Sequence, residues 1–72
     1  MEINKAHVNN CRLGLLNKEV WPLYINKVRV TKAINDNRES PHINELLDIE
    51  KMYKDKIKYL LGQWQKLNTK NT

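Results

Sequence analysis

The chain has 72 residues, enough for one small domain that buries only about 60% of its unfolded surface, so a partner or a second copy would add stability. Its composition, 40% hydrophobic and 29% charged, excludes an intrinsically disordered chain. A net charge of +5 favours anionic partners such as an acidic protein or nucleic acid.

The single cysteine, Cys11, cannot form an internal disulfide, and the residues that follow Met1 do not resemble a secretory signal. No apolar run approaches the roughly 20 residues needed to cross a bilayer. We therefore expect a soluble cytoplasmic protein with no membrane partner. Ten asparagines beside ten lysines suggest an AT-rich coding genome, which is common among bacteria and their phages.

The first predicted element is a helix over residues 3–16, where apolar side chains recur at loosely helical spacing interrupted by Gly14. A polar segment follows, and Pro22 disfavours helical backbone at the residue before it. We therefore expect a break or kink near residues 17–21, with Pro22 in the first turn of a new helix.

The second element, residues 22–35, is rich in β-branched residues, which a strand would also use. A period of two would place Ile25, Lys27 and Arg29 on one face, which is not apolar. Helical spacing instead aligns one stripe, which consists of Leu13, Leu16, Val20, Leu23, Lys27, Val30 and Ile34. The stripe favours a helix, and a strand is the alternative.

Residues 35–40 form a loop of turn-forming side chains. Ser40 as N-cap and Pro41 at the first helical position then start a long helix over about 41–67. Its stripe consists of Ile43, Leu46, Glu50, Tyr53, Ile57, Leu60, Trp64 and Leu67. Residues 68–72 are expected to form a frayed tail.

These elements predict one all-α domain over residues 1–72. Its long helix packs as an antiparallel hairpin on a kinked or broken N-terminal helix, about 3–16 plus 22–35. A three-helix bundle and a dimeric four-helix bundle, both with coiled-coil-like packing, are the alternatives.

The two stripes define a register for the hairpin. It pairs Ile34 with Ile43, Val30 with Leu46, Lys27 with Glu50, Leu23 with Tyr53, Val20 with Ile57, Leu16 with Leu60 and Leu13 with Trp64. The register predicts an ion pair between Lys27 and Glu50 that would penalise wrong alignments, and it places the small Gly14 beside Trp64.

Two further apolar strips lie outside the stripes, and a two-helix hairpin cannot bury all four faces. The strips are Trp21, Ile25 and Val28 on the middle segment, and Ile49, Met52 and Tyr59 on the long helix. One interpretation is that residues 2–12 fold back as a third helix over the first strip. The other is that the strips bind a protein partner or a second copy, with Trp21 as the aromatic anchor.

A cluster of basic side chains is expected at the end of the hairpin away from the loop. Its candidate anion or nucleic-acid contacts are Lys5, Arg12, Lys18, Lys54, Lys58 and Lys66. A nucleic-acid interpretation would use them for phosphates and Tyr59 or Trp64 for base stacking. The alternative is an ordinary solvated face that follows the helix dipole.

The sequence lacks a catalytic or ligand signature. His7 and Cys11 are spaced i, i+4, but two ligands do not close a zinc site. Ser40 is the only serine and is expected to cap a helix. We therefore expect no enzyme, cofactor, metal or small-molecule substrate. The sequence favours a small interaction protein, acting as a regulator, inhibitor or assembly subunit, and the alternative is a basic dimeric helical nucleic-acid binder.

Overall fold

The chain folds as three helices joined by short connections in a computed structural model, which describes the backbone of residues 3–70 and the side chains of residues 3–67. The helices are α1 (Lys5–Gly14), α2 (Val20–Asp36) and α3 (Ile43–Lys70). Within the described residues there is no strand, so the all-α prediction is confirmed and the strand alternative for the middle segment is wrong.

The helix starts follow the expected capping chemistry. Asn4 caps α1 by accepting a hydrogen bond from the backbone N–H of His7 at 3.0 Å. The hydroxyl of Ser40 accepts from the backbone N–H of His42 at 3.2 Å, but the predicted helix start at Pro41 is wrong: α3 begins two residues later, at Ile43, because Pro41 and His42 form a turn. Pro22 lies in the first turn of α2, as predicted.

The helix ends differ more from the predictions. The helical backbone of α3 continues to Lys70, beyond the predicted end at Leu67. The last two residues of the predicted frayed tail, Asn71 and Thr72, lie outside the described residues. α2 ends at Asp36, where the Asn37 side chain donates to a backbone carbonyl of the last turn at 2.9 Å.

The chain reverses direction over residues 15–19, between α1 and α2. Three contacts fix the direction of α1 against α3: Lys5 with Glu45, Cys11 with Tyr53, and Leu15 with Lys56. Since both helices advance together through these contacts, α1 runs parallel to α3 and antiparallel to α2. The hairpin of α2 and α3 is therefore completed as a three-helix bundle, and α1 does not continue the line of α2.

The core lies where all three helices meet. Its buried side chains are Ile3, Val8, Leu23, Val30, Ile34, Leu46, Ile49 and Tyr53. Most of these residues belong to the predicted stripes of α2 and α3, whose helical spacing keeps them on one face of each helix. Val8 of α1 and Ile3, which precedes α1, complete the core, and the hairpin register did not predict either of them.

Gly14 packs beside Tyr53 and Asn26, and its predicted position beside Trp64 is wrong. A Cβ atom at Gly14 would clash with the Tyr53 hydroxyl and lie 2.9 Å from the Asn26 side-chain nitrogen. That hydroxyl donates to the backbone carbonyl of Cys11, the residue one turn earlier in α1. Burial raises the pKa of Tyr53 and that of the Cys11 thiol.

The predicted ion pair between Lys27 and Glu50 is also wrong. Glu50 meets α2 one turn nearer the loop, where its carboxylate accepts a hydrogen bond from the Thr31 hydroxyl. Lys54 supplies the positive charge from within α3, with its Nζ 3.6 Å from the carboxylate. Lys27 lies instead over the ring of Tyr24, 5.9 Å from the ring centroid. Thr31 and Lys54 therefore provide the polar contacts of the Glu50 carboxylate. At this point the alignment of α2 and α3 differs by about one turn from the predicted register, so Lys27 does not face Glu50.

Candidate protein-interaction surface

The outer strip of α2, formed by Trp21, Ile25 and Val28, stays exposed in the folded chain. Their exposed fractions are 69%, 37% and 49%, respectively. The buried residues of α2, such as Leu23 and Val30, lie on the opposite face of the helix, where α1 and α3 pack. The third helix exists, but the interpretation that it seals this strip is wrong.

Tyr24 extends the outer strip towards α3. Its ring stacks on Trp21, with the centroids 6.0 Å apart and the planes inclined by 16°, and the Lys27 Nζ lies over the same ring, 5.9 Å from its centroid. Tyr24 lies outside both predicted strips. Its i, i+3 spacing from Trp21 is the signal that could have found it.

A groove of about 500 Å³ runs between α2 and α3 beside this aromatic pair. It is lined by Tyr24, Lys27, Lys54, Ile57, Lys58, Leu61, Gly62 and Gln65. The lining includes three lysines and the apolar side chains of Ile57 and Leu61, and no carboxylate is among the lining residues. Helical spacing within a single helix could not have predicted this groove, because it depends on the offset between two helices.

The second predicted strip is divided between core and surface. Ile49 is 1% exposed and cannot contact a partner, so its assignment as a partner-binding residue is wrong. The parallel alignment of α1 places Val8 level with Ile49 and covers it. Met52 and Tyr59 are 55% and 62% exposed, and the Tyr59 hydroxyl accepts a hydrogen bond from Gln63 at 2.6 Å.

The last part of α3, residues 61–70, forms an arm that α1 does not reach, and Leu61, Gly62 and Gln65 of this arm line the groove beside α2. None of residues 61–67 is buried. The predicted pairings of Leu13 with Trp64 and of Leu16 with Leu60 are wrong, because α1 turns back and leaves Leu13 and Leu16 62% and 73% exposed. At 28 residues, α3 is about 42 Å long and sets the long dimension of the molecule, 49 Å against 17 and 15 Å.

The Glu45 carboxylate contacts three basic side chains at the loop end of the bundle. Its carboxylate lies 2.7 Å from Lys5, 3.5 Å from Arg12 and 3.0 Å from His42. The hydrogen bond from Lys5, followed by that from His42, lowers the pKa of Glu45 to about 2. Lys5 and Arg12 are therefore engaged with a carboxylate, and the prediction that Lys5 lies at the end away from the loop is wrong.

The remaining candidate basic residues are Lys18, Lys54, Lys58 and Lys66. All four are exposed, and Lys54 is the one of them that pairs with a carboxylate among the described residues. Lys58 and Lys66 line a shallow depression on α3 that is also lined by Tyr59 and Asp55. The predicted cluster is thus smaller than expected, and it centres on the second half of α3.

Within the described residues, no group of three His, Cys, Asp or Glu side chains is placed to hold a metal ion. Over the same range, no helix is both long and apolar enough to span a membrane. Comparison with known proteins gives no match to a family model, a curated protein or a solved structure. Function is therefore inferred from the surfaces of the bundle and the arm.

Proposed function

We propose that this chain is a small non-enzymatic protein-interaction module of bacterial or phage origin, which binds a protein partner through the outer strip of α2. One observation carries the proposal: the strip remains exposed although a third helix has folded onto the hairpin. Contiguous exposed apolar side chains on a small domain are typical of interaction sites. The roles that fit are those of a regulator, an inhibitor or an assembly subunit in the cytoplasm.

Trp21 is the expected anchor of this contact. Tryptophan is enriched among the residues that contribute most to binding, and stacking on Tyr24 reduces the rotational freedom that the indole would lose on binding. The neighbouring groove suggests the chemistry of the partner. An apolar helix with acidic residues along one edge would place its apolar face on the strip and its carboxylates near Lys27, Lys54 and Lys58.

The test is affinity capture from the native host with the tagged full-length chain, followed by a binding measurement on the protein that is captured. We expect Trp21→Ala to weaken the complex by at least about 30-fold, the effect of losing about 2 kcal/mol. Because apolar burial dominates the contact, raising the salt from 50 to 500 mM should change the affinity only a few-fold.

Trp64→Ala is the matched control, because Trp64 is 62% exposed against 69% for Trp21 but lies on a different surface. The control should bind the partner like the unmodified chain. Equal binding by the Trp21→Ala variant and the unmodified chain would exclude the outer strip as the site. Both variants should first be shown to have the same helical circular dichroism.

A dimeric nucleic-acid binder is the second candidate, and one feature favours it: Lys58 and Lys66 line a shallow depression on α3 together with the exposed ring of Tyr59, although Asp55 lines it too. Such a protein would bind a labelled oligonucleotide with an affinity that falls steeply and linearly in log–log plots against salt concentration. Lys58→Gln with Lys66→Gln should then reduce that slope by about 2. Absence of oligonucleotide binding at 50 mM salt would exclude this function.

A further inference from the structure

Polar side chains of α1 and α2 share a pocket of about 240 Å³ on the side of the bundle where these two helices pack. His7 and Asn10 line it from α1, and Asn26 and Arg29 line it from α2. Each pair is spaced i, i+3, which places both of its members on one face of their helix. The pocket therefore puts polar groups of two helices at a helix contact, where apolar side chains are usual.

Arg29 differs from the other two arginines of the chain in its partners. Arg12 lies 3.5 Å from the Glu45 carboxylate, and Arg38 donates to the Asn35 side chain at 3.0 Å. Arg29 makes no hydrogen bond or ion pair within the part of the chain that the structure describes. No residue that lines the pocket is acidic, so nothing in the pocket neutralises the guanidinium.

The neighbouring side chains add N–H donors to this charge. The amides of Asn10 and Asn26 make no hydrogen bond to another described residue. Each amide carries two N–H groups, a neutral imidazole such as that of His7 carries one in either tautomer, and the arginine fork presents two to a single ligand. The Tyr53 hydroxyl, which also lines the pocket, donates to the Cys11 carbonyl. The pocket thus offers a positive charge and several donors, with no carboxylate.

We infer that this pocket binds the phosphate group of a small molecule, as a ligand and without a chemical step. Arginine matches the geometry of phosphate with two parallel hydrogen bonds. A carboxylate has about four acceptor sites on two oxygens, whereas a phosphate ester presents three strong acceptor oxygens and can use donors from both helices. The net charge of +5 also attracts an anion to the chain.

The size of the pocket limits the ligand. Its volume of about 240 Å³ lies below the roughly 300 Å³ at which sites for drug-sized molecules begin, so it fits a phosphate with a short remainder of the molecule. The pocket shares no residue with the outer strip of α2, so either proposal can fail without the other.

Titration of the nitrogen-15-labelled full chain with inorganic phosphate, followed by nuclear magnetic resonance at constant ionic strength, tests the inference. We expect saturable shifts of the side-chain amide signals of Asn10 and Asn26, with a dissociation constant of about 1 mM because the site is open to solvent. Acetate should bind at least about fivefold more weakly, because it has fewer acceptor sites. Absence of saturation by about 20 mM phosphate, or equal affinity for acetate, would overturn the proposal.

Arg29→Gln should weaken phosphate binding at least about tenfold, because it removes the charge and the arginine fork. Arg38→Gln is the matched control: Arg38 is also exposed and the substitution removes the same charge, but Arg38 does not line the pocket. The control should change the dissociation constant less than about twofold, because salt screens a distant charge. Equal weakening by both variants would mean a response to net charge alone and would overturn the site.

Asn26→Ala provides a test that leaves the net charge unchanged. Loss of its amide donors should weaken phosphate binding about threefold, and both helices should keep the circular dichroism of the original chain. An unchanged affinity would overturn the assignment of this pocket.

Nucleic acid is the other source of phosphate groups, and a labelled oligonucleotide separates the two. We expect the oligonucleotide not to displace inorganic phosphate, as judged by the Asn26 amide signal. An oligonucleotide that shifted the same signal at concentrations about 100-fold lower, and lost this effect in Arg29→Gln, would overturn the small-molecule proposal in favour of nucleic acid.

Discussion

Two tyrosines on α3, Tyr53 and Tyr59, mark the difference between the covered and the uncovered faces of this helix. Tyr53 is fully buried and donates its hydroxyl hydrogen to a carbonyl of α1, whereas Tyr59 is 62% exposed and is bonded to a neighbour within its own helix. Both lie on one continuous helix, so helix propensity does not separate them. What differs is the face of the helix on which each lies: Tyr53 faces α1, whereas Tyr59 lies about 120° further around the helix, away from the core that its neighbours Ile57 and Leu60 contact.

The reversal of the chain at residues 15–19 creates that difference. If α1 had continued the line of α2, it would have covered α3 as far as Trp64 and left no arm. By turning back, α1 covers Ile49 and completes the core, and it leaves the later part of α3 beside α2, across the groove, without cover from α1. The apolar stripe of a helix therefore predicts where the helix can pack, and the length of its neighbours decides where it does.

The sharpest test of this difference is a pair of alanine substitutions. Tyr53→Ala should destabilise the fold by about 3–5 kcal/mol, because it leaves a large cavity and an unpaired carbonyl. A domain of this size has about that much stability in total, so the variant should be largely unfolded at 25 °C. Tyr59→Ala should stay within about 0.5 kcal/mol of the original. Urea unfolding followed by circular dichroism measures both changes, and similar losses would mean that the outer face of α3 around Tyr59 is packed in solution.

The sequence predicts well those features of the fold that depend on a single helix or loop. The stripes of α2 and α3, the loop between them and the break before Pro22 follow from helical periodicity and backbone chemistry, which are local. The position of α1 was left open because two arrangements satisfied the same local pattern. Its own weak stripe, with adjacent asparagines, gave no register of its own.

The candidate site was predicted only in part, for a similar reason. Trp21, Ile25 and Val28 could be found because exposure follows from lying opposite a buried stripe. Ile49 could not be separated from Met52 by spacing alone, since its burial depends on where α1 docks. The predicted ion pair between Lys27 and Glu50 is wrong for a further reason. Long charged side chains reach across a helical turn, so the alignment of two stripes does not determine which charged groups pair.

The two glycines provide a second test, because Gly14 lies in the bundle and Gly62 in the arm. Alanine is favoured over glycine in a helix by about 1 kcal/mol, and at Gly62 a Cβ atom would meet nothing within 4 Å. Gly62→Ala should therefore raise the helix content and add up to about 1 kcal/mol. Gly14→Ala gains the same preference but displaces the Tyr53 hydroxyl from its buried hydrogen bond, so it should destabilise by about 1–3 kcal/mol. Thermal unfolding of both variants gives the signs, and a stabilised Gly14→Ala variant would show that Tyr53 can move without loss.

The smallest expected effect concerns the ion pairs that tie α1 to the start of α3. Because the pKa of Glu45 is about 2 in the folded chain and near 4.5 in the unfolded chain, these contacts stabilise the fold above pH 4.5 and are lost as the pH falls towards 2. Glu45→Gln should lower stability at pH 7 by a modest amount, since the pairs are partly exposed.

The difference between Glu45→Gln and the original chain should shrink as the pH is lowered from 4.5 to 2, because protonation also removes the charge from Glu45. Asp55→Asn, a change at an exposed carboxylate on the outer side of α3, is the control and should show a smaller difference at pH 7. The measurement is the urea midpoint of each variant at several pH values. A difference that persists unchanged at pH 2 would mean that Glu45 contributes through its shape and hydrogen bonds. The ion pairs between Glu45 and α1 would then not stabilise the docking of α1.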